Sequence, residues 1–444
     1  MQLSNIDIEN LAPDAQSLDT SKKMAIKEKW KVIAKSDRGI WGKIKGSAIE
    51  PYQTQIELIP LGYKCSCPSR KFPCIHVLAL LFLHSNDNQS FTDTEEPSDI
   101  KDWLDKRIQK RGKVEMPAKE LTHEIIEKRE KEQDKRKTER AIFVESGIAE
   151  LDRWLKDLIK NGILQLPYKE NNYFEKMAAR LVDAKAPGLA NFIRKLQKLD
   201  FSKTDQWHQE ALQIIGKTYF LMDAYQNIDN QPIPLQNTIK NLIGWSQSTK
   251  DLLASEQKGV KDDWLVIGQM IEENDDLITQ KNWLWGIQSN QPALIINFGT
   301  RFAPLDSQLI AGMFFHAELL YFDTAFPQRA IIKEHIAPPN QQLQLKADDN
   351  WEVIDKKLQS AILENPWIEE FPILVNSTNI QTSQNNTYII DYQNNAKQID
   401  TNYPLEKLLN LMMIHDKNSV IAGLLSNQYF IPFGIFSDHN YQIL

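Results

Sequence analysis

Cys65-Ser66-Cys67-Pro68-Ser69-Arg70-Lys71-Phe72-Pro73-Cys74-Ile75-His76 holds all three cysteines of the 444-residue chain and closes on a histidine. The pattern is C-x-C, six residues, then C-x-H. Three thiolates and one imidazole make a complete tetrahedral ligand set, and so soft a set selects zinc over the hard, oxygen-preferring cations. Isolated free cysteines commonly serve as small buried hydrophobes. Three within ten positions, beside a histidine, read instead as metal ligands.

The spacing fits that chemistry. Residues two apart on a strand or tight knuckle project to one side, so Cys65 and Cys67 reach one ion at about 2.3 Å. Pro68 and Pro73 bracket a short turn that brings the chain back. The apolar run from Ile75 to Leu83 suits a short buried helix whose first turn carries Cys74 and His76. His84 lies eight residues further on as a rival ligand, but the C-x-H spacing favours His76. Ahead of the cysteines, Arg38 to Gly42 and Lys43 to Ser47 read as a strand and a turn, and Gln53 to Pro60 as a second strand. Trp41, Tyr52 and Phe72 are the core candidates of this module. So small a core leans on its metal, whose binding in isolated fingers contributes on the order of 10–16 kcal/mol.

Two strands, the C-x-C and C-x-H pairs, and a helix beginning at the second pair resemble the SWIM zinc finger, a small ββα-type module. Further stretches are similar to bacterial SWIM proteins of this size: Asp102-Trp103-Leu104-Asp105-Lys106-Arg107, the run from Ala178 to Ala190, and Ala317 to Phe322 with Phe326-Pro327. The resemblance implies a structural Zn2+ held by Cys65, Cys67, Cys74 and His76. It also implies a MoxR-type AAA ATPase and a von Willebrand A domain protein as partners, since such proteins are commonly encoded beside them.

The net charge of −7 hides an asymmetry. Between Ser21 and Leu80 twelve basic side chains face four acidic ones. That local excess of about +8 leaves about −15 for the remainder, an imbalance that marks an anion-facing surface or a solvated face. Lys43, Lys45, Lys64, Arg70 and Lys71 are the candidate contacts to DNA, RNA or an acidic protein. No run of about 18 apolar residues occurs, so no membrane span is expected. The first residues have neither a basic start nor an apolar core, so no secretory signal is expected. With its cysteines committed to metal, the chain suits a reducing cytoplasm.

Along the chain, residues 1–20 read as an acidic, loose N-terminal arm, with Thr20 and Ser21 capping a short helix over Met24 to Ile33. Residues 21–90 form the finger module, ending in a polar linker from Ser85 to Ser98. Residues 91–140 are a charged helical linker, exposed or partly disordered, with helical pieces at Trp103 to Ile108 and Leu121 to Lys137. Residues 141–260 are helical by period: Val144, Ile148, Leu151, Leu155, Leu158 and Ile159 recur at three and four. Helices follow at Tyr173–Ala184, Pro187–Leu199, Thr204–Ala224 and Leu235–Trp245. Pro187 is placed as a first helical residue, and Gly188 admits a close neighbour. Short connections suggest a helical array without a clean repeat period.

Residues 261–444 form a β-rich domain. Strands are expected at Trp264–Ile271, Leu277–Ile287, Ala293–Phe298, Ala317–Asp323, Gln328–His335, Phe371–Val375, Tyr388–Tyr392 and Tyr429–Phe436, as an antiparallel sheet or a partly closed barrel. Helices are expected at Trp351–Leu363 and Leu405–Ile414. The fold class is therefore α+β and multidomain.

No GxxxxGK[ST] is present, so nucleotide hydrolysis by a P-loop is excluded. His316-Ala317-Glu318 has the H-x-E of a zinc deaminase, but that site needs a downstream PCxxC, and no cysteine follows Cys74. A catalytic zinc also keeps one position open, which four protein ligands close. The sequence thus favours a non-enzymatic interaction or adaptor protein, with nucleic-acid binding by the finger's basic surface as the alternative.

Overall fold

The structure is a computed structural model describing residues 5–45, 51–58, 61–69, 71, 73–112, 123–170, 172–202, 207–245, 247–274, 277–300, 305, 309–333, 336–377, 379–383, 386–416, 419–437 and 440–444. Its first unit is an antiparallel sheet of β1 (Trp30–Lys35), β2 (Gly39–Ile44), β3 (Tyr52–Leu58) and β4 (Leu61–Cys65), extended by a two-residue edge strand, β5 (Thr92–Asp93), parallel to β1. On one face lies α3 (Ile75–Asn86), in which every side chain from His76 to Leu83 is buried. A helix apolar all round must be covered all round. The sheet covers one side, and α1 (Asn5–Asn10) and α2 (Ala15–Met24) cover the other, with Ile8 wholly buried against α3.

That requirement overturns two expectations. The described part of the stretch expected as a loose arm, residues 5–20, forms docked helices, with Asp14 rather than Thr20 or Ser21 capping α2 through Ser17 N at 2.7 Å. The helix expected over Met24 to Ile33 is instead the end of α2, a 3-10 turn at Lys27–Lys29 and strand β1. Trp30 is held there by Nε1 donating to Met24 O at 3.1 Å.

The other face of the sheet carries α4 (Ser98–Gly112). Ile100 and Leu104 are buried with Ala34 and Trp41, with Trp103 alongside. The guanidinium of Arg107 comes within 2.0 Å of where a Cβ at position 62 would stand, so Gly62 leaves it the room it occupies over the sheet. Arg38, just ahead of β2, pairs with Glu96 and, at 2.6 Å, with Asp105. From Phe91 to Arg107 the stretch read as polar linker and exposed charged helix is thus docked, through the buried Phe91, Ile100, Leu104 and Arg107.

The helical unit opens on α5 (His123–Lys160), one continuous helix that joins the two helices expected around position 140. It packs with α6 (Asn172–Asp183), α7 (Pro187–Gln197), α8 (Trp207–Gln226) and α9 (Ile233–Ile243) around a single core that includes Val144, Ile148, Leu151, Leu155 and Leu158. Pro187 takes the N-terminal position of α7. A Cβ on Gly188 would stand 1.8 Å from Leu242 O, so glycine sets the close approach of α7 and α9. Lys185, at φ 60°, and Gly244, at φ 121°, end α6 and α9.

After α10 (Thr249–Ala254), β6 (Val260–Asn274), β7 (Leu277–Gly286), β8 (Pro292–Thr300), β9 (Phe314–Tyr321) and β10 (Ala330–Ile332) pair antiparallel in the order β10-β9-β6-β7-β8. Following α11 (Trp351–Glu364), β11 (Glu370–Asn376) joins a second sheet, and β12 (Asn379–Ser383), β13 (Asn386–Ile390) and β14 (Ala396–Gln398) form a small third one. Then come α12 (Leu405–Ile414), β15 (Val420–Ser426), β16 (Tyr429–Ser437) and β17 (Asn440–Ile443), giving the second sheet the order β11-β15-β16-β17. Alternation decides how they stack. Leu265, Ile267 and Trp283 of the first sheet meet Leu374, Ala422, Leu424 and Phe433 of the second, whereas Trp264, Val266 and Leu284 face away. The result is two open sheets face to face, not a barrel.

The three units are joined. Ile310 of the β-rich unit enters the core around α3, and Trp367 enters the helical core, its Nε1 donating to Lys217 O at 3.1 Å. Among the described residues no helix is long and apolar enough to cross a membrane.

Candidate metal centre

The metal-ligand candidates lie where β4 ends and α3 begins. Cys65 is the last residue of β4, opposite Thr54 of β3. Beyond it the strand is locked by Ser66 N donating to Gln53 O at 3.0 Å and Gln53 N donating to Ser66 Oγ at 2.9 Å. Cys74 is the N-cap of α3 with extended φ and ψ of −74° and 164°, and His76 follows within the first turn. The positive end of the helix therefore lies against two ligands, an arrangement that favours thiolate.

One ligand atom from each of Cys65, Cys67, Cys74 and His76 lies within 4.8 Å of all the others, the one such Cys/His cluster among the described residues. His76 Nδ1 stands 3.8 Å from Cys65 Sγ and 4.0 Å from Cys74 Sγ. A tetrahedral zinc with bonds of about 2.0–2.3 Å has ligand–ligand edges of about 3.5–3.8 Å, so these donors are already close to its geometry. His84 is excluded as a rival, since it lies two turns along α3 with its ring 5.2 Å from Phe91.

Electrostatics give the same fit. The sulfurs of Cys65 and Cys67, with burial, push the Cys74 thiol well above its ordinary range. The Cys67 thiol, accepting hydrogen bonds from Cys65 and Cys74, is pulled far down. Burial opposes a charge on His76, yet the Cys65 and Cys67 sulfurs outweigh it and raise the imidazole to about 9. Three sulfurs this close cannot all be anionic unless a cation is shared among them. A divalent ion supplies that charge.

Residues 52–84 match the family model of the SWIM zinc finger, and residues 139–243 match that of the SWIM-associated four-helix bundle domain. This chain carries a SWIM zinc finger. No curated protein and no solved structure matches it. The SWIM match covers β3, β4, the knuckle and α3 as far as His84, and the bundle match ends with α9 at Ile243. The donor set of the SWIM finger fits one structural zinc ion.

The basic candidates separate from the metal. Lys64 and Cys65 are successive strand residues and so point to opposite faces. Register pairs Lys43 with Gln53 and Lys64 with Gln55, placing both lysines on the face that carries α4, and Lys45 shares the parity of Lys43. Lys43, Lys45 and Lys64 are exposed. Lys71 is bound to Asp14 at 2.7 Å, a pair that with Ser17 N holds the Asp14 carboxyl at about 2. Arg70 and the core candidate Phe72 lie outside the described residues.

His316 and Glu318 of β9 have ordinary partners. His316 Nδ1 meets Asp263 Oδ1 at 2.8 Å, while Glu318 receives Lys333 at 3.0 Å and Gly259 N at 3.0 Å. Sequence reasoning missed the exposed apolar face of α12. Leu405 and Met413 are 68% and 78% exposed, with Leu409 between them, at the i, i+4, i+8 spacing of one helix face. Leu409 and Met413 border a cleft of about 1010 Å3 reaching across to Leu11, Pro13 and Tyr63 of the finger unit. The spacing was visible in the sequence, but it reads equally as a buried face.

Proposed function

We propose that this chain is a cytoplasmic, non-enzymatic adaptor in which the zinc-loaded finger stiffens one wall of a protein-docking cleft. The MoxR-type ATPase and the von Willebrand A domain protein are its proposed partners. The observation carrying this reading is that four donors lie within 4.8 Å of one another at a strand–helix corner. A closed set leaves the ion no open position for water or substrate, so the metal serves folding. The exposed α12 face beside the finger adds support, since soluble monomers rarely leave such patches unused. The test is co-purification of both candidate partners with the wild type, with Cys74→Ala and with Leu409→Glu/Met413→Glu. Capture by the wild type and loss in both variants supports the adaptor role. Failure of both partners to bind, where they still bind each other, refutes it.

A second reading, nucleic-acid binding, rests on Lys43, Lys45 and Lys64 being exposed on one sheet face. It requires an affinity that falls steeply with salt, with a shallower slope in a variant carrying Gln at all three. A flat salt response, or no binding at low salt, disposes of it.

A further inference from the structure

We propose that Thr54 is a positioning residue for the metal, donating its hydroxyl hydrogen bond to the Cys65 sulfur and so fixing and stabilising that thiolate as a ligand. Thr54 is wholly buried, at 0% exposure, in the middle strand of the β2-β3-β4 hairpins. It is paired directly with Cys65 across β3 and β4, and its Oγ1 lies 3.2 Å from Cys65 Sγ. No other hydrogen-bond partner of that hydroxyl occurs among the described residues. A buried hydroxyl almost always finds a partner, and here the partner is a sulfur.

The direction of the bond follows from the ligand chemistry. A metal-bound sulfur is a thiolate without a proton, so it can only accept, and the hydroxyl must donate. Bonds to an ionised acceptor are the stronger kind. Groups that orient metal ligands in this way are typically worth a roughly 10- to 100-fold difference in metal affinity. The methyl group of threonine has a separate role, since it packs a β-branched side chain on a strand. Valine keeps that branch and loses the donor. Serine keeps the donor and loses the branch.

The inference rests on the zinc reading of the four-donor cluster, and the experiment separates the two. Zinc affinity is measured on the full chain by competition with a chromophoric chelator, and cobalt(II) replaces zinc to report the sulfur-to-metal charge-transfer band. If the wild type takes up neither ion, the zinc reading itself fails and this inference with it. If the wild type binds, Thr54→Val should bind roughly 10- to 100-fold more weakly with its band moved to lower energy. Thr54→Ser should match the wild type in both. Thr54→Ala, which adds no bulk, replaces the valine variant if that one does not fold. The proposal is overturned by wild-type affinity in the hydroxyl-free variant, by a serine variant as weak as valine, or by weakened binding with an unshifted band.

Discussion

Arg107 of α4 donates from Nε to Glu57 Oε2 of β3 at 2.6 Å, with the two side chains only 9% and 4% exposed. This is a buried ion pair between a helix of mostly charged sequence and the sheet that supports the metal knuckle. Its attraction is offset by the cost of removing both charges from water, so its net contribution is modest, whereas breaking it strands a charge. Arg107→Ala or Glu57→Ala alone should therefore cost about 3–5 kcal/mol, while the double variant Arg107→Met/Glu57→Leu should recover most of it. Denaturant midpoints of the three variants decide this; a double variant as unstable as either single would contradict it.

Metal removal should act locally. One zinc per chain is expected by elemental analysis, and none in Cys74→Ala. Chelation should release binding energy on the order of 10 kcal/mol from the finger and expose α3 to protease. The helical bundle has its own core, to which no described residue of the finger contributes, so most of the helical circular dichroism should survive. A cooperative loss of all helix on chelation would show that the units do not fold independently.

Arg140 should matter more than a surface arginine. Its NH2 group donates to Lys185 O at 3.2 Å and Gly244 O at 2.9 Å, and its guanidinium lies 4.8 Å from the Trp245 ring centre. One cation thus serves the C-terminal ends of both α6 and α9, where positive charge is favoured. Arg140→Met should destabilise the bundle by about 2 kcal/mol, read as a lower thermal midpoint. An unchanged midpoint would mean water replaces the side chain at both carbonyls.

Acid should weaken the fold through two histidines outside the metal site. Burial, aided by Lys35, lowers the pKa of His84, and burial lowers that of His415, whose Nε2 meets Ser377 Oγ at 3.1 Å. Unfolded imidazoles protonate near pH 6.5. Below that pH the unfolded chain binds more protons than the folded one, so stability falls as pH drops through 6.5 towards the lower folded values. Between about pH 7.5 and about 5.5, His84→Gln and His415→Gln should each lose less thermal stability than the wild type. Parallel pH profiles for all three proteins would refute the assignment.

Local chemistry made part of this molecule readable from the sequence. The C-x-C and C-x-H pairs, the first-turn position of Pro187, the tight approach at Gly188 and the extents of α11 and α12 depend on neighbours a few residues away. The docked arm, β1, α4 and β15 do not. Ile8 and Leu18 are sparse apolar residues in a polar segment, and nothing local says that α3 needs a second cover. Trp30 to Lys35 has the residues of either a helix or a strand, and the pairing partner at Gly39–Ile44 decides between them.

The site divides the same way. The number and type of donors, and with them the preference for zinc, were set by residue identity and spacing. Two features needed the assembled sheet: Thr54 beside Cys65, and the placement of Lys43 and Lys64 on the face away from the metal. Both follow from strand register, which is fixed by pairing between distant residues and which a one-residue slip would invert. Ligand chemistry is written within a dozen consecutive residues, while the surroundings of those ligands arise only when separate strands and helices compete for the same buried surface.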